Sequence, residues 1–328
     1  MKVIVIAEAG VNHNGNLKLA KKLIDIAKYA KADYVKFQSF NHNNLVTINA
    51  EKANYQKNSN LKETQRDMLK KLQFSKTDYE KIINYCKKKK IKFLSTAFDK
   101  ENLDYLLKKN IDFIKIPSGE ITNLPFLKYI SSKNKKILLS TGASTLDEIS
   151  RALKILKKVQ NITIMQCNTA YPTPIKDINL KSLITFKNKF KSKIGLSDHT
   201  LSLIPPIIAV ALGAVVIEKH FTVSRKFRGP DHKSSLEAKE LKKMIENIRE
   251  SELALGNEGK KVTKSERENR NVIRRSIVAN KEIKKGQKFT NYNITSKRPA
   301  TGISPMYIKK VLGKKSKKNF KIDEIIKL

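Results

Sequence analysis

Short apolar runs alternate with amphipathic stretches over the first two-thirds of the chain. The runs are rich in Val, Ile, Leu and Phe, whereas the stretches between them, such as 17–30, 146–157 and 180–190, repeat apolar residues every three or four positions. This alternation predicts parallel strands separated by helices. The predicted strands are 3–8, 34–39, 92–98, 113–117, 137–141, 162–167, 194–197 and 215–221. Eight such units predict an α/β fold, a (β/α)8 barrel of the TIM type.

The pattern changes near residue 255, which predicts a second domain. A charged stretch comes first, and short strands rather than long helices follow it. We therefore expect a barrel over 1–258, a linker over 259–272 and a small β-rich domain over 273–328. Within the barrel, residues 41–72 form a long insertion between the second and third strands, which we expect to act as a lid.

The chain is strongly basic, with 68 Lys and Arg against 30 Asp and Glu and a net charge of +38. Nearly all the basic residues are Lys on the polar faces of predicted helices, without an Arg-rich stripe or interleaved aromatic residues. An RNA-binding protein would be expected to have those features. We therefore expect no nucleic acid partner, and we expect the surface charge to attract anionic substrates.

Neither export nor a membrane span is predicted. The chain enters a predicted strand at once, which leaves no room for a signal peptide. The longest apolar run, 203–217, is interrupted by two prolines and Gly213, and it is shorter than the roughly 18 to 20 residues that a span needs. Cys86 and Cys167 are too few for a disulfide framework and lack metal-ligand spacing. We therefore expect a cytoplasmic protein without a membrane partner.

Polar side chains cluster where each predicted strand stops. The residues at these ends are Glu8, Asn12, His13, Lys36, Gln38, Ser95, Thr96, Lys115, Ser118, Glu120, Ser140, Thr141, Asn168, Tyr171, Ser197, Asp198, His199, Glu218 and His220. In a barrel of this type the carboxyl ends of the strands meet at one face and form the active site. Glu8 and Glu120 are candidate acid or base groups there, although either could instead be a structural partner for a lysine.

Two kinds of binding site can be distinguished in this set. The cationic and hydroxyl groups suited to a phosphate and a carboxylate together are Lys36, Thr96, Lys115, Ser118, Ser140 and Ser197. His199 and His220 end neighbouring strands, so their imidazoles could bind one divalent cation. A single strand-end His is more often a hydrogen-bonding residue. The adjacency of the two, with Asp198 and Glu218 beside them as orienting carboxylates, favours the metal site.

Ten motifs, in order along the chain, resemble those of the bacterial sialic acid synthases, a family that includes N-acetylneuraminate synthase and the legionaminic acid synthases. The similarity extends from residue 7 to 325. The motifs are AEAGVNHNG (7–15), VKFQ (35–38), FLSTAFD (93–99), KIPSGE (115–120), LSTG (139–142), YPTP (171–174), GLSDHT (195–200), EKHFT (218–222), GPDH (229–232) and KRPATGISP (297–305).

The resemblance implies the architecture, the cofactor and the assembly. It implies a TIM barrel followed by an antifreeze-like (SAF) domain, in a domain-swapped homodimer. It also implies that His199 and His220 bind a divalent metal, with Mn²⁺ expected and Mg²⁺ or Co²⁺ as alternatives. Arg298 matches the family arginine that reaches the sugar site of the partner subunit.

The resemblance also assigns roles to individual side chains. The residues implied to bind phosphoenolpyruvate are Lys36, Thr96, Lys115, Ser118, Ser140, Asn168 and Ser197. The residues implied to bind the sugar are Gln38, Tyr171, Asp231 and Arg298. The residues implied in catalysis are Glu8, Lys115, Glu120 and Glu218. Four positions, Gln166, Ala170, Ala143 and Ala300, depart from residues that are common in the family.

The reaction implied is the metal-dependent condensation of phosphoenolpyruvate with N-acetylmannosamine and water, giving N-acetylneuraminate and phosphate. The alternative sugar is 2,4-diacetamido-2,4,6-trideoxymannose, which would give N,N'-diacetyllegionaminate. The alternative sugar has an acetamido group where N-acetylmannosamine has a hydroxyl group. Contacts in the pocket decide which of the two sugars is the substrate. A nonenzymatic ice- or carbohydrate-binding protein built on the C-terminal domain is the rival from another class, but it would leave the polar strand ends without a use.

Overall fold

The computed structural model describes residues 2–56 and 63–328. The chain folds into two compact units. We call them the barrel unit (Met1–Gly256) and the C-terminal unit (Asn257–Leu328). Strands and helices alternate through the barrel unit, whereas the C-terminal unit is made mostly of short strands, bridges and turns.

The barrel unit is built on one parallel sheet in the order β3-β2-β1-β8-β7-β6-β5-β4. Its strands are β1 (Ile4–Gly10), β2 (Tyr34–Ser39), β3 (Lys92–Ala97), β4 (Ile114–Ile116), β5 (Ile137–Ser140), β6 (Ile162–Cys167), β7 (Lys193–Asp198) and β8 (Val216–His220). The two end strands, β3 and β4, approach to within 8 Å at their Cα atoms. The sheet therefore curls into a nearly closed barrel, which confirms the predicted fold.

Helices pack around this sheet and form part of the insertion after β2. They are α1 (Leu17–Tyr29), α2 (His42–Leu45), α3 (Gln65–Leu72), α4 (Lys76–Lys89), α5 (Lys100–Lys108), α6 (Leu124–Ser131), α7 (Leu146–Ile155), α8 (Ser182–Phe190), α9 (Ile204–Ala211) and α10 (Ala238–Leu255). In α1, the side chain of Asn16 caps the amino end by accepting from the backbone N–H groups of Lys18 and Leu19. Three- and four-residue spacing places Ala20, Leu23, Ile24 and Ala27 on its buried face.

The apolar stretch 203–217 folds as a short helix, a turn and a strand. It holds α9, then Gly213 with a φ of 96°, then β8. A positive φ is readily adopted by glycine, which explains the turn at this point. In the described part of the chain, no helix is both long and apolar enough to cross a membrane.

The insertion after β2 forms a roof segment, which we define as residues 41–56 and 63–72. It contains α2 and α3. Its buried residues Met68 and Leu72 pack with Val11 and Phe40, which follow β1 and β2, in an apolar cluster separate from the main core. The rest of the predicted lid, 57–62, lies outside the described residues.

The C-terminal unit has its own apolar core. It contains α11 (Lys264–Ile273), β9 (Ser276–Ala279), β10 (Ile294–Lys297) and α12 (Ile308–Val311), and β9 pairs antiparallel with β10. The residues buried in this core include Ile277, Ile283, Phe289, Val311, Phe320 and Ile326. Most of α11 falls in the predicted linker 259–272, where Thr263 and Glu266 form a capping box that starts the helix.

Candidate active site

A cavity of about 540 Å³ opens at the carboxyl ends of the barrel strands. Every one of the eight strands, or the loop directly after it, contributes to its wall. The predicted site residues that line it are Glu8, Lys36, Gln38, Thr96, Lys115, Ser118, Ser140, Tyr171, Ser197, His199, Glu218, His220 and Asp231. Convergence of so many polar groups on one cavity is expected of the active face of this fold.

Glu218 joins opposite sides of the cavity floor. Its Oε1 accepts from Nζ of Lys115 at 2.9 Å and from Oγ of Ser197 at 3.0 Å, and Nζ of Lys36 lies 3.6 Å from its Oε2. Burial alone would raise the pKa of Glu218, but the ammonium groups of Lys115 and Lys36 outweigh it and hold this pKa below the usual range. Glu218 therefore stays ionised and fixes both lysines.

Glu8 lies on the other side of Lys36. Nζ of Lys36 is 2.9 Å from Oε2 of Glu8 and donates to Oγ1 of Thr96 at 2.8 Å, while Nε2 of Gln38 donates to Oε1 of Glu8 at 3.2 Å. Burial raises the pKa of Glu8 to about 7, although Lys36 opposes the shift. Near neutral pH this carboxyl can therefore gain or lose a proton, as an acid or base must.

Two serines complete the polar floor. Oγ of Ser118 accepts from the backbone N–H of Gly142 at 2.9 Å. A side chain at Gly142 would meet this Oγ at 2.8 Å, so glycine is required for the approach. Oγ of Ser140 is buried and has no hydrogen-bond partner among the described residues. It is therefore available to a bound ligand.

Two residues of the barrel unit to which the resemblance assigns roles, Glu120 and Asn168, do not line this cavity. Glu120 follows β4 in a short turn, where its Oε2 accepts from Nδ2 of Asn123 at 2.6 Å. The side chain of Asn168 bonds to backbone groups of its own loop. Arg298 follows β10 in the C-terminal unit. The roles implied for these residues stay predictions, as do the roles implied for the residues that line the cavity.

The two strand-end histidines lie together at the cavity wall, with their ring centroids 5.3 Å apart. Nδ1 of His199 donates to the carbonyl of Asn168 at 2.5 Å, and its Nε2 lies 3.1 Å from the hydroxyl of Tyr171. Nδ1 of His220 is buried without a hydrogen-bond partner in the described part of the chain. Two such imidazoles could hold a divalent metal.

The rest of the metal shell would have to come from substrate or water. Among the described residues, no group of three or more His, Cys, Asp or Glu is arranged to hold a metal. Asp198 and Glu218, predicted to orient the histidines, have other partners. Asp198 pairs with Lys219, and Glu218 pairs with Lys115.

Aromatic rings form the side of the cavity where the sugar is expected. Tyr171 stacks on His199 with ring centroids 4.1 Å apart, and the ring of Tyr55 in the roof segment stacks on Tyr171 with centroids 4.8 Å apart. Burial raises the pKa of the nearby Asp231 to about 6. Sequence reasoning missed Tyr55, because its segment has no periodicity that would direct a side chain to the site.

The departures Gln166 and Ala170 lie away from the cavity. Nε2 of Gln166 donates to the carbonyl of Ile178 at 3.0 Å. Ala170 is exposed, and neither residue is part of the cavity wall. Ala170 directly precedes Tyr171, which is implied to bind the sugar, but the loop after β6 turns Ala170 to solvent. The changes therefore leave the lining of this cavity intact.

This chain is similar to known proteins in both sequence and fold. Residues 23–260 match the NeuB family and residues 274–328 match the SAF domain. The N,N'-diacetyllegionaminic acid synthase of Campylobacter jejuni is 50% identical over 99% of both chains. The synthase of the same name from Legionella pneumophila is 39% identical, over 97% of this chain and 92% of its own.

A solved structure agrees with these matches. The N-acetylneuraminic acid synthetase of Leptospira borgpetersenii, determined with citrate, has a TM-score of 0.73 and 34% identity, covering 82% of this chain and 90% of its own. The chain therefore belongs to the NeuB family and is an enzyme, a synthase of the sialic acid type. The resemblance inferred from the motifs is confirmed.

Proposed function

We propose that this enzyme condenses phosphoenolpyruvate with 2,4-diacetamido-2,4,6-trideoxymannose and water, giving N,N'-diacetyllegionaminate and phosphate. The observation that carries the proposal is the 50% identity to the Campylobacter jejuni synthase of that product, over 99% of both chains. The sequence motifs alone favoured N-acetylmannosamine as the sugar. The relatives support the alternative better, since a second legionaminic acid synthase is 39% identical.

The cavity floor supports the binding of phosphoenolpyruvate. This substrate carries a phosphate and a carboxylate, and the buried ammonium groups of Lys36 and Lys115 are fixed in place by carboxylates before it arrives. Charge-assisted hydrogen bonds in a buried site bind such anions strongly. Ser140, whose hydroxyl has no partner in the described part of the chain, supplies a further donor.

The methylene carbon of phosphoenolpyruvate attacks the aldehyde carbon of the open-chain sugar. The C=C and C=O double bonds become single bonds, and the aldehyde oxygen takes up a proton to become a hydroxyl group. Water then adds to the second carbon of phosphoenolpyruvate, and phosphate leaves with cleavage of its carbon–oxygen bond. We assign Glu8 to accept the proton of this water, because its raised pKa matches neutral pH. Lys36 and Lys115 stabilise the charge of the departing phosphate.

A divalent metal, which we propose to be Mn²⁺ with Mg²⁺ or Co²⁺ as alternatives, would polarise the sugar aldehyde when bound. His199 and His220 are the residues that would hold it. The support is the pair of adjacent imidazoles, one of which has a buried nitrogen without a partner among the described residues.

The test compares the two sugars on the purified enzyme. Phosphate release with phosphoenolpyruvate and Mn²⁺ is measured for each sugar, and the product is identified by mass. We expect kcat/KM to be at least about tenfold higher for the diacetamido sugar. The reverse preference would make the enzyme an N-acetylneuraminate synthase, and no turnover with either sugar would refute both assignments.

A further inference from the structure

The cavity has two chemically different walls. The floor, at the strand ends, is ionic and is formed around Lys36, Lys115 and Glu218. The opposite wall comes from the roof segment and is mostly apolar, with Gln56 and Gln65 as its amide-bearing members. Its apolar lining residues are Leu45, Val46, Ala53, Met68, Leu69 and Leu72.

Tyr55 is the residue of the roof segment that lines the cavity next to Tyr171. Its ring stacks on Tyr171, with centroids 4.8 Å apart and planes 23° apart, and Tyr171 in turn stacks on His199. Burial and the nearby carboxylate of Asp231 raise the pKa of Tyr55. Tyr55 therefore stacks on Tyr171 and lies near Asp231, two residues implied to bind the sugar.

Ion pairs within the roof segment join its parts on both sides of Tyr55, and apolar contacts fix the segment to the barrel. Nζ of Lys52 lies 2.9 Å from Oε2 of Glu63, and Nζ of Lys71 lies 2.7 Å from its Oε1. Met68 and Leu72 are buried against residues that follow β1 and β2. The apolar wall is therefore part of the folded barrel unit.

The chemistry of the two walls determines that phosphoenolpyruvate lies at the ionic floor and the sugar at the apolar wall. Both anionic groups of phosphoenolpyruvate require cationic partners, which the floor supplies and the apolar wall does not. The sugar must therefore be the substrate that faces the roof segment. A methyl or acetyl group gains free energy there by leaving water, whereas a hydroxyl group loses hydrogen bonds that the apolar side chains cannot replace.

We propose that Tyr55 and the apolar wall select the sugar by packing against the groups that distinguish the two candidates, the 6-methyl group and the 4-acetamido group. This inference rests on the proposed function. N-acetylmannosamine has hydroxyl groups at both positions, so the same contacts disfavour it. Tyr55 is a specificity-determining residue on this account, and it has no role in binding phosphoenolpyruvate.

The experiment measures kcat/KM for both sugars, and KM for phosphoenolpyruvate, in Tyr55→Ala and Tyr55→Phe. Loss of the ring should lower kcat/KM for the diacetamido sugar by roughly 10- to 100-fold and reduce the preference between the sugars by at least about tenfold. KM for phosphoenolpyruvate should stay within about twofold of the wild type, because the lysines are untouched. Tyr55→Phe keeps the stacked ring and should retain the preference.

Tyr292→Ala is the matched control, since Tyr292 is 82% exposed in the C-terminal unit and should leave all three constants unchanged. An equal loss for both sugars, or a parallel rise in KM for phosphoenolpyruvate, would overturn the role of Tyr55. The wild-type preference tests the proposed function separately. A wild-type preference for N-acetylmannosamine would reject that function, whereas an unchanged preference in Tyr55→Ala would reject only this inference.

Discussion

Lys219 and Asp198 form an ion pair that is completely buried behind the barrel wall. Nζ of Lys219 lies 2.6 Å from Oδ2 of Asp198, and neither side chain is exposed. The same Nζ donates to Oγ1 of Thr200 at 3.2 Å and to the carbonyl of Ser202 at 3.1 Å. Each member of the pair directly precedes one of the two strand-end histidines, so the pair holds both strand ends in place.

Loss of this lysine should strongly destabilise the barrel. Lys219→Met leaves the carboxylate of Asp198 buried without its partner, which costs about 3–5 kcal/mol in the free energy of unfolding. Urea unfolding measures this change. The control is Lys76→Met, since Lys76 pairs with Glu101 at 3.4 Å on the surface, where about 1 kcal/mol or less is expected. Equal losses in both variants would contradict the structural role of the buried pair.

The raised pKa of Glu8 predicts the pH dependence of the reaction. The pKa rises from 4.5 to about 7 on burial, and only the ionised carboxylate can accept a proton. The value of kcat/KM for phosphoenolpyruvate should therefore rise roughly tenfold per pH unit below the pKa and level off above it. Glu8→Gln should remove this rise of kcat/KM with pH, which is the acid limb of the profile, and lower kcat by about 100-fold or more.

Asp231 provides the control for this profile, because its pKa is also raised, to about 6, by burial. Asp231→Asn should keep the limb near 7 if that limb belongs to Glu8. A limb that persists in Glu8→Gln would assign the titration to another group. A wild-type profile that falls through pH 7 would make Glu8 an acid.

Metal removal should abolish activity reversibly. Chelation takes away the proposed cation, and Mn²⁺ should restore turnover. His220→Ala should lose Mn²⁺ binding in calorimetry, a measurement that does not depend on turnover. His42→Ala is the matched control, since its ring bonds to Gln73 and does not line the cavity. Full activity in excess chelator would disprove the metal proposal.

Arg298 should act on the sugar of a partner subunit, as the family resemblance implies. Arg298→Ala and His220→Ala should each be nearly inactive. A mixed dimer would combine both lesions in one site and leave the other site intact. Co-refolding of equal amounts should therefore restore about a quarter of the wild-type activity, since about half of the dimers are mixed. No recovery despite subunit exchange would place Arg298 within its own chain's site or away from the substrate.

The sequence by itself determined the barrel, because hydrophobic periodicity is a local property that each segment carries alone. Strand β2 and strand β6 begin and end where the apolar runs predicted. The meeting of the strand-end side chains at one site was also predictable, since parallel strands must bring their carboxyl ends to one face. For that reason Lys36, Lys115 and the two histidines could be assigned to one site before their distances were known.

The tertiary structure alone decided which of these side chains meet. Glu218 pairs with Lys115 across the barrel, and Asp198 turns outward to Lys219, because side chains alternate between the two faces of a strand. Tyr55 reaches Tyr171 only because the roof segment packs on the loops after β1 and β2. Such contacts join residues far apart in the chain, so their geometry is set by the packing of the whole barrel and by no local pattern.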